Sequence, residues 1–222
     1  MNSKEDFLTH CREFFIDSDF KKLMRILKNY ENSPQYDDFF AEIVVGLYLR
    51  KLGLDAKPSI KVRGLTPDWV IFDYDHEIIG TVEVAHLHID YQTDQELLEQ
   101  EKKNKGNEPF IITYWMDGNA DNSIRLFNIL SKKATKYKKL SNEEKIPLVI
   151  ATYINAKLTF FEDEIEDLLF NNDNSIFSIF DFIDGVLIIH EVGNSFFEIR
   201  YRGNPKKLNE LNLPKNYNLT IR

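Results

Sequence analysis

A continuous apolar run in the second half of the chain constrains the fold more than any other feature. Residues 147–154 read Pro-Leu-Val-Ile-Ala-Thr-Tyr-Ile, with no charged side chain among them. A strand of this composition is typical of the centre of a sheet that is covered on both faces. The run therefore predicts a sheet with helices packed against it, which is an α/β or α+β fold.

Helical periodicity recurs on both sides of this run. Phe39, Phe40, Ile43, Val44 and Leu47 form the clearest apolar stripe, and basic residues followed by a glycine end the helix. The sequence predicts helices over residues 37–52, 93–105, 121–140 and 162–170, with two shorter helices within 4–31.

Short β-branched or aromatic segments between turn residues predict the other strands. They cover residues 59–64, 68–74, 78–86, 110–116, 185–190 and 196–201, and the tail after Pro205 shows no pattern. The predicted architecture is a mixed sheet with N-terminal helices and extra C-terminal strands. We expect residues 1–36 to be a helical appendage packed on one domain that covers residues 37–222.

Composition excludes some classes of protein. The 222 residues carry a net charge of −8 and are 43% hydrophobic, which argues against a polybasic coat for nucleic acid or membranes but allows a local groove. Cys11 is the one cysteine, so no intrachain disulfide forms, as expected in a reducing compartment. The first residues are charged, and no apolar run approaches the roughly 20 residues of a membrane span. We expect a cytoplasmic protein without a membrane partner.

Two carboxylates face each other if residues 68–74 and 78–86 form a hairpin. With Asp75 and His76 as the central turn residues, Asp68 lies directly opposite Glu83. Their Cβ atoms would then be roughly 4.5–5.5 Å apart, where two like charges repel. A divalent cation between them removes that cost, and Mg²⁺ prefers such hard oxygen ligands.

Glu42 is a third carboxylate, in the middle of the predicted helix 37–52. Its neighbours at helical spacing include Phe39, Val45 and Leu49, so it lies at the edge of the buried face, which disfavours an unpaired charge. Gly46 beside it would allow a strand to approach closely. A partly exposed glutamate paired with Lys or Arg is the alternative explanation.

Glu42 in a helix, Pro67-Asp68 at a strand start and Glu83-Val84-Ala85 in the next strand resemble the PD-(D/E)XK nuclease superfamily. The resemblance covers about residues 38–155 and includes the downstream helix and the apolar strand. It implies a restriction-endonuclease-like αβββαβ core and Mg²⁺-dependent cleavage of phosphodiester bonds, with Mn²⁺ as an alternative ion.

The resemblance also implies roles for individual residues. Asp68 and Glu83 would bind the metal, the carbonyl of Val84 would add an oxygen, and Glu42 would bind the metal or a metal-bound water. Ala85 stands where the family has a lysine that assists the attacking water. Lys133 and Lys136 on the predicted helix 121–140 are the best replacements, and Lys61 is another candidate.

The nature of the partner follows from the same resemblance. We expect nucleic acid, in the first place DNA, contacted through Lys132, Lys136, Lys139 and Lys61. A solvated helix face explains these lysines equally well. Homodimerisation is common among nucleases that cut both strands. The alternative function, favoured by Ala85, is a catalytically inactive module that binds nucleic acid or a protein.

Two histidines follow the second carboxylate on the same predicted strand. His86 and His88 are of a residue type that often binds metals. Strand alternation places both on the face opposite Glu83. We expect surface histidines or histidines with satisfied hydrogen bonds there.

Overall fold

A seven-stranded mixed sheet is the framework of the protein. The computed structural model describes residues 11–29, 35–88, 99–100, 102–103, 122–154, 162–171, 173–193 and 196–220. The strands lie side by side in chain order, from β1 to β7. They are β1 Asp55–Pro58, β2 Trp69–Phe72, β3 Ile78–Leu87, β4 Leu148–Ile154, β5 Gly185–Gly193, β6 Phe196–Gly203 and β7 Asn216–Thr220.

The named helices are α1 Asp17–Asn29, α2 Gln35–Lys51, α3 Asn122–Glu144, α4 Glu162–Phe170 and α5 Ile176–Ile179. Helix α2 shows why these segments are helical. Acidic Asp37 and Asp38 lie in its first turn and basic Arg50 and Lys51 in its last turn, each complementing the helix dipole. Gly53 then adopts a φ of 81°, a left-handed conformation that commonly ends helices.

Three parallel strands occupy the centre of the sheet. β3, β4 and β5 are parallel to one another, and every other neighbouring pair is antiparallel. All seven residues of β4 are buried, which confirms the prediction of a strand covered on both faces. The fold is a mixed α/β fold, as the sequence predicts at this coarse level.

The two faces of the sheet carry separate hydrophobic cores. On the first, which we call the α2 face, Val82, Val84 and Ala151 pack with α1 and α2. On the second, the α3 face, Val70 and Ile150 pack with α3, α4 and α5. Successive residues of β3 therefore point to opposite cores, and this alternation decides which helix each polar side chain of the strand meets.

Most predicted elements agree with the structure. Helices α2, α3 and α4 and strands β3, β4, β5 and β6 lie where the sequence predicts them, with ends that differ by a few residues. The predicted strand 110–116 lies outside the described residues, as does most of the helix 93–105. Residues of the N-terminal part pack on the sheet, where Phe15 stacks on Trp69 with ring centroids 5.8 Å apart.

The prediction for the first strand, at one edge of the sheet, is wrong. The first strand is Asp55–Pro58 rather than residues 59–64, because Ser59, Arg63 and Gly64 have positive φ angles and form a turn. Lys61 therefore lies in an exposed loop and not on a strand. The tail, which shows no pattern in the sequence, contributes β7, whose backbone pairs with β6.

The turn between β2 and β3 differs from the two-residue turn that the sequence predicts. The Asp73 N–H donates to the Glu77 carbonyl, so three residues rather than two form the loop. His76, in that loop, has a φ of 63°. An irregularity between Ile71 and Phe72 shifts the register back by one residue. The two departures cancel, and Trp69 pairs with Val82 as the simpler turn would require.

Candidate functional site

Asp68 and Glu83 meet where the β2–β3 ladder ends. Trp69 pairs with Val82, so the next residues outward on the two strands are Asp68 and Glu83. The backbone N–H of Val84 donates a 2.7 Å hydrogen bond to Asp68 Oδ2, which fixes this carboxylate beside β3. The hairpin thus brings together the two acids that the sequence pairs.

Glu83 is a buried carboxylate that contacts two lysines. Its side chain is 1% exposed, and its Oε1 lies 2.7 Å from Lys133 Nζ and 3.1 Å from Lys136 Nζ. Both lysines extend from α3, which packs on this face of the sheet. The second oxygen, Oε2, is buried, and no described residue forms a hydrogen bond with it. Glu83 therefore keeps one lone oxygen available for a further cation.

Glu42 approaches the same acids from α2. Its backbone carbonyl accepts a 2.9 Å hydrogen bond from Trp69 Nε1, next to Asp68. Gly46 makes this approach possible, since a Cβ there would lie 2.0 Å from Trp69 Cζ2. The pKa of Glu42 is raised to about 8, mainly by burial and also by the negative charges of Asp68 and Glu83, while Lys133 acts in the opposite direction.

Asp68 is held in a similar electrostatic environment. Burial raises its pKa to about 6, with a contribution from the negative charge of Glu83. The Val84 N–H and the two lysines act in the opposite direction but do not outweigh the burial. Three acids that interact this strongly carry a cost when all are ionised, and a bound cation would remove that cost.

The donors present fit a hard divalent ion in part. Carboxylate oxygens are the ligands that Mg²⁺ prefers, and the lone Glu83 Oε2 is suited to this role. The N–H and C=O of a strand residue point to the same side, so the Val84 carbonyl faces the Asp68 side. However, oxygens of Glu42, Asp68 and Glu83 do not all approach within 4.8 Å of one another.

Two lysines of α3 supply positive charge close to the strand on which Ala85 replaces the motif lysine. Ala85 is buried and neutral, and Lys133 and Lys136 provide positive charge beside Glu83 instead. The other proposed nucleic-acid contacts are exposed: Lys132 and Lys139 on α3 and Lys61 in its loop. Lys139 also pairs with Glu143 on the same helix, at 3.8 Å.

A second polar cluster lies on the α2 face, and the sequence does not predict it. Asp38 Oδ1 lies 2.8 Å from His88 Nε2 and 3.4 Å from His86 Nδ1. Burial raises the pKa of Asp38, but the two imidazoles beside it outweigh that effect and hold the pKa below its usual range. The hydrogen bond with Asp38 raises the pKa of His88.

His86 departs from the expectation of a surface or satisfied histidine. Its side chain is 2% exposed, and neither ring nitrogen has a hydrogen-bond partner within the part of the chain that the structure describes. Asp38 is the residue that sequence reasoning missed. An acid in the first turn of a helix is already explained by the helix dipole, so nothing in the sequence links it to the histidines.

Comparisons with protein-family models, with curated proteins and with solved structures find no match for this chain. The function is therefore inferred from the chain's own residues. Over the part of the chain that the structure describes, no helix combines the length and apolar character of a membrane span.

Proposed function

We propose that the protein is a Mg²⁺-dependent nuclease of the PD-(D/E)XK type that acts on DNA. The observation that carries the proposal is the buried Glu83, which faces Asp68 across the hairpin and contacts Lys133 and Lys136. Acids for a metal and cations for a phosphate are thus brought to one place by three separate elements.

Each side chain has a distinct role in this proposal. Asp68 and Glu83 would hold the ion, with Mn²⁺ as a substitute, and the Val84 carbonyl would add an oxygen. When bound, the ion supplies an activated water and stabilises charge on the phosphate. Glu42, with a pKa of about 8, holds a proton near neutral pH in the metal-free protein and becomes an oxygen donor when it loses it.

The lysines would replace the family's strand lysine. Lys133 Nζ lies 2.7 Å from Glu83 Oε1, so its charge is beside the proposed ion-binding oxygens although residue 85 is alanine. A cation there orients the scissile phosphate and offsets the negative charge that develops on it. Lys132, Lys139 and Lys61 would contact the DNA backbone from the exposed surface, without reading the sequence.

A nuclease assay with matched variants tests the proposal. Tag-free protein is incubated with double-stranded DNA, single-stranded DNA and RNA in Mg²⁺, Mn²⁺ or EDTA. We expect Mg²⁺-dependent DNA cleavage that falls by about 1,000-fold in Asp68→Asn and in Glu83→Gln, since a metal contributes several kcal/mol to the transition state.

The control is Asp75→Asn, an exposed acid in the loop of the same hairpin. It should cleave like the original protein. Circular dichroism establishes that Asp68→Asn and Glu83→Gln remain folded. Cleavage that survives in both variants, or in EDTA, would contradict the proposed mechanism.

Two observations favour a catalytically inactive module as the second candidate. Ala85 lacks the cation of the motif, and the three acids do not gather their oxygens within 4.8 Å. This candidate predicts DNA or protein binding without turnover in either metal. Absence of cleavage in every condition, together with DNA binding that Lys132→Ala weakens, would favour it over the nuclease.

A further inference from the structure

The Asp38, His86 and His88 cluster joins two elements of the α2 face. Asp38 projects from the first turn of α2, while His86 and His88 lie at the end of β3, two residues apart and therefore on one side of the strand. One ligand atom from each of the three lies within 4.8 Å of the others. The histidine rings themselves are close, with centroids 3.9 Å apart.

An ordinary ion pair explains only part of this arrangement. Asp38 Oδ1 and His88 Nε2, at 2.8 Å, form a satisfied pair at the surface. His86 is different, because it is buried, its Nδ1 lies 3.4 Å from the same oxygen, and neither of its nitrogens has a hydrogen-bond partner among the described residues. A buried imidazole without a partner carries a desolvation cost that a bound ion would remove.

We propose that Asp38, His86 and His88 bind a divalent transition-metal ion, with Zn²⁺ as the ion that fits best. Two imidazole nitrogens and one carboxylate oxygen are donors that zinc accepts, and bonds of about 2.1 Å in a tetrahedron separate ligand atoms by about 3.4 Å. The Asp38–His86 distance already matches this value, at 3.4 Å. The distance from Asp38 Oδ1 to His88 Nε2 is 2.8 Å, so these two atoms would separate by about half an ångström when the ion binds.

The surroundings hold the buried ligand in place. The ring of Tyr153, on the neighbouring strand β4, meets the His86 ring edge-on at 5.2 Å. Tyr153 is itself fixed by a 2.8 Å hydrogen bond from its hydroxyl to Glu191 Oε2. Second-layer packing of this kind orients metal ligands. Three protein ligands leave a fourth position open for water or an exogenous ligand, because His88 and Asp38 are both about half exposed.

This site uses different residues from the proposed nuclease centre, although Asp38 and Glu42 lie on the same helix. The donors differ, because nitrogen ligands select zinc and related ions whereas oxygen ligands select Mg²⁺. The Glu83 and His86 side chains also point to opposite faces of β3. A failure of one proposal therefore leaves the other standing, and the variants below separate them.

Calorimetry with ZnCl₂ on tag-free protein stripped with chelator tests the site. We expect one ion per chain. His88→Gln and Asp38→Asn should each weaken the affinity by more than about 100-fold, since even second-layer losses cost about 10- to 100-fold. Both residues are half exposed, so their variants are expected to fold even if His86→Ala does not. His76→Asn is the control, because it removes an exposed histidine and Asn tolerates the positive φ at that position.

Cobalt provides a second readout that binding elsewhere would not reproduce. Co²⁺ in the tetrahedral site should give a strong visible absorption, which Zn²⁺ displaces and His88→Gln abolishes. Asp68→Asn should retain both the absorption and the Zn²⁺ affinity. The proposal would be overturned by Zn²⁺ binding that is equal in the original protein, His88→Gln and Asp38→Asn, or by no binding at all.

Discussion

Strand β3 carries a polar centre on each face, and the two centres differ in which group is buried and which group approaches it. On the α3 face a carboxylate, Glu83, is buried and two lysines reach down to it. On the α2 face an imidazole, His86, is buried and the carboxylate of Asp38 approaches from the half-exposed edge.

The difference lies in which group is left incomplete. Among residues 11–29, 35–88, 122–154 and the other described segments, Glu83 lacks a hydrogen-bond partner at Oε2 although Oε1 has two, whereas His86 lacks a partner at both nitrogens. Among the described residues of the two centres, the buried atom without a hydrogen-bond partner is an oxygen of Glu83 on the α3 face, and on the α2 face it is a nitrogen of His86. The same strand therefore presents a hard site and a borderline-soft site, and residue alternation keeps them apart.

The largest expected effect tests whether the two centres share one support. Helix α2 carries both Asp38 and Glu42, and it packs on Trp69 through Gly46. In Gly46→Ala the new Cβ would lie 2.0 Å from the Trp69 ring, so we expect a loss of about 3 kcal/mol in the free energy of unfolding. Urea denaturation measures it, and both Zn²⁺ affinity and DNA cleavage should fall.

Gly80→Ala on β3 is the matched control for this change. Its Cβ would meet Leu211 Cδ2 at 2.8 Å, the end of a side chain that is able to rotate away. We expect a loss of about 1 kcal/mol, with both centres intact. Equal losses in the two glycine variants would show that the Trp69 contact does not support the sites.

An intermediate effect concerns the lysines that distinguish the α3 face. Lys133→Met should lower the free energy of unfolding by about 2 kcal/mol, because it removes the closer of two partners from a buried carboxylate. Lys136 is half exposed, so Lys136→Met should cost less than about 1 kcal/mol. Urea denaturation ranks the two, and DNA cleavage should fall in the same order.

Lys139→Met serves as the reference for these lysines, because Lys139 pairs only at the exposed surface with Glu143. Its stability should stay close to that of the original protein. If Lys133→Met lowered the free energy of unfolding no more than Lys139→Met, this result would contradict the proposed difference between the two faces.

The last expected effect is a pH dependence of opposite sign at the two polar centres of the metal-free protein. The pKa of Glu42 rises from 4.5 to about 8 and that of Asp68 from 3.8 to about 6. Their contribution to stability is complete below the ordinary values and is lost as pH rises toward 8. The pKa of Asp38 is lowered instead, so its contribution is present above 3.8 and is lost on acidification.

Thermal unfolding in EDTA across the pH range measures both slopes. Glu42→Gln should flatten the decline between about pH 5 and 8, and Asp38→Asn should reduce the loss at acidic pH. Addition of Mg²⁺ should restore stability at the alkaline end only where Glu83 and Asp68 are intact. An unchanged alkaline slope in Glu42→Gln would disprove the assignment to Glu42.

Local patterns predict the parts of this molecule that local forces decide. The apolar run of β4 and the stripe of α2 are recognisable from the sequence alone. The predicted pairing of Asp68 with Glu83 is correct only because the longer loop and the register shift cancel each other. β7 is harder, because Tyr217 and Leu219 alternate only over a short, Asn-rich segment and its pairing with β6 decides the conformation.

The Asp38 centre could not be predicted for a different reason. Strand alternation places His86 and His88 together, but the acid that meets them is more than forty residues earlier in the sequence. The contact depends on how α2 crosses the end of β3, which is a property of tertiary packing.

The three-residue loop and the register shift opposite Ile71 and Phe72 have a consequence for anyone who alters this hairpin. Each shifts the pairing of the two strands by one residue, in opposite senses, so the two shifts cancel. Shortening the loop alone would slide one strand past the other and turn Asp68 away from Glu83. Loop grafts at residues 74–76 should therefore preserve loop length, or change the irregularity with it.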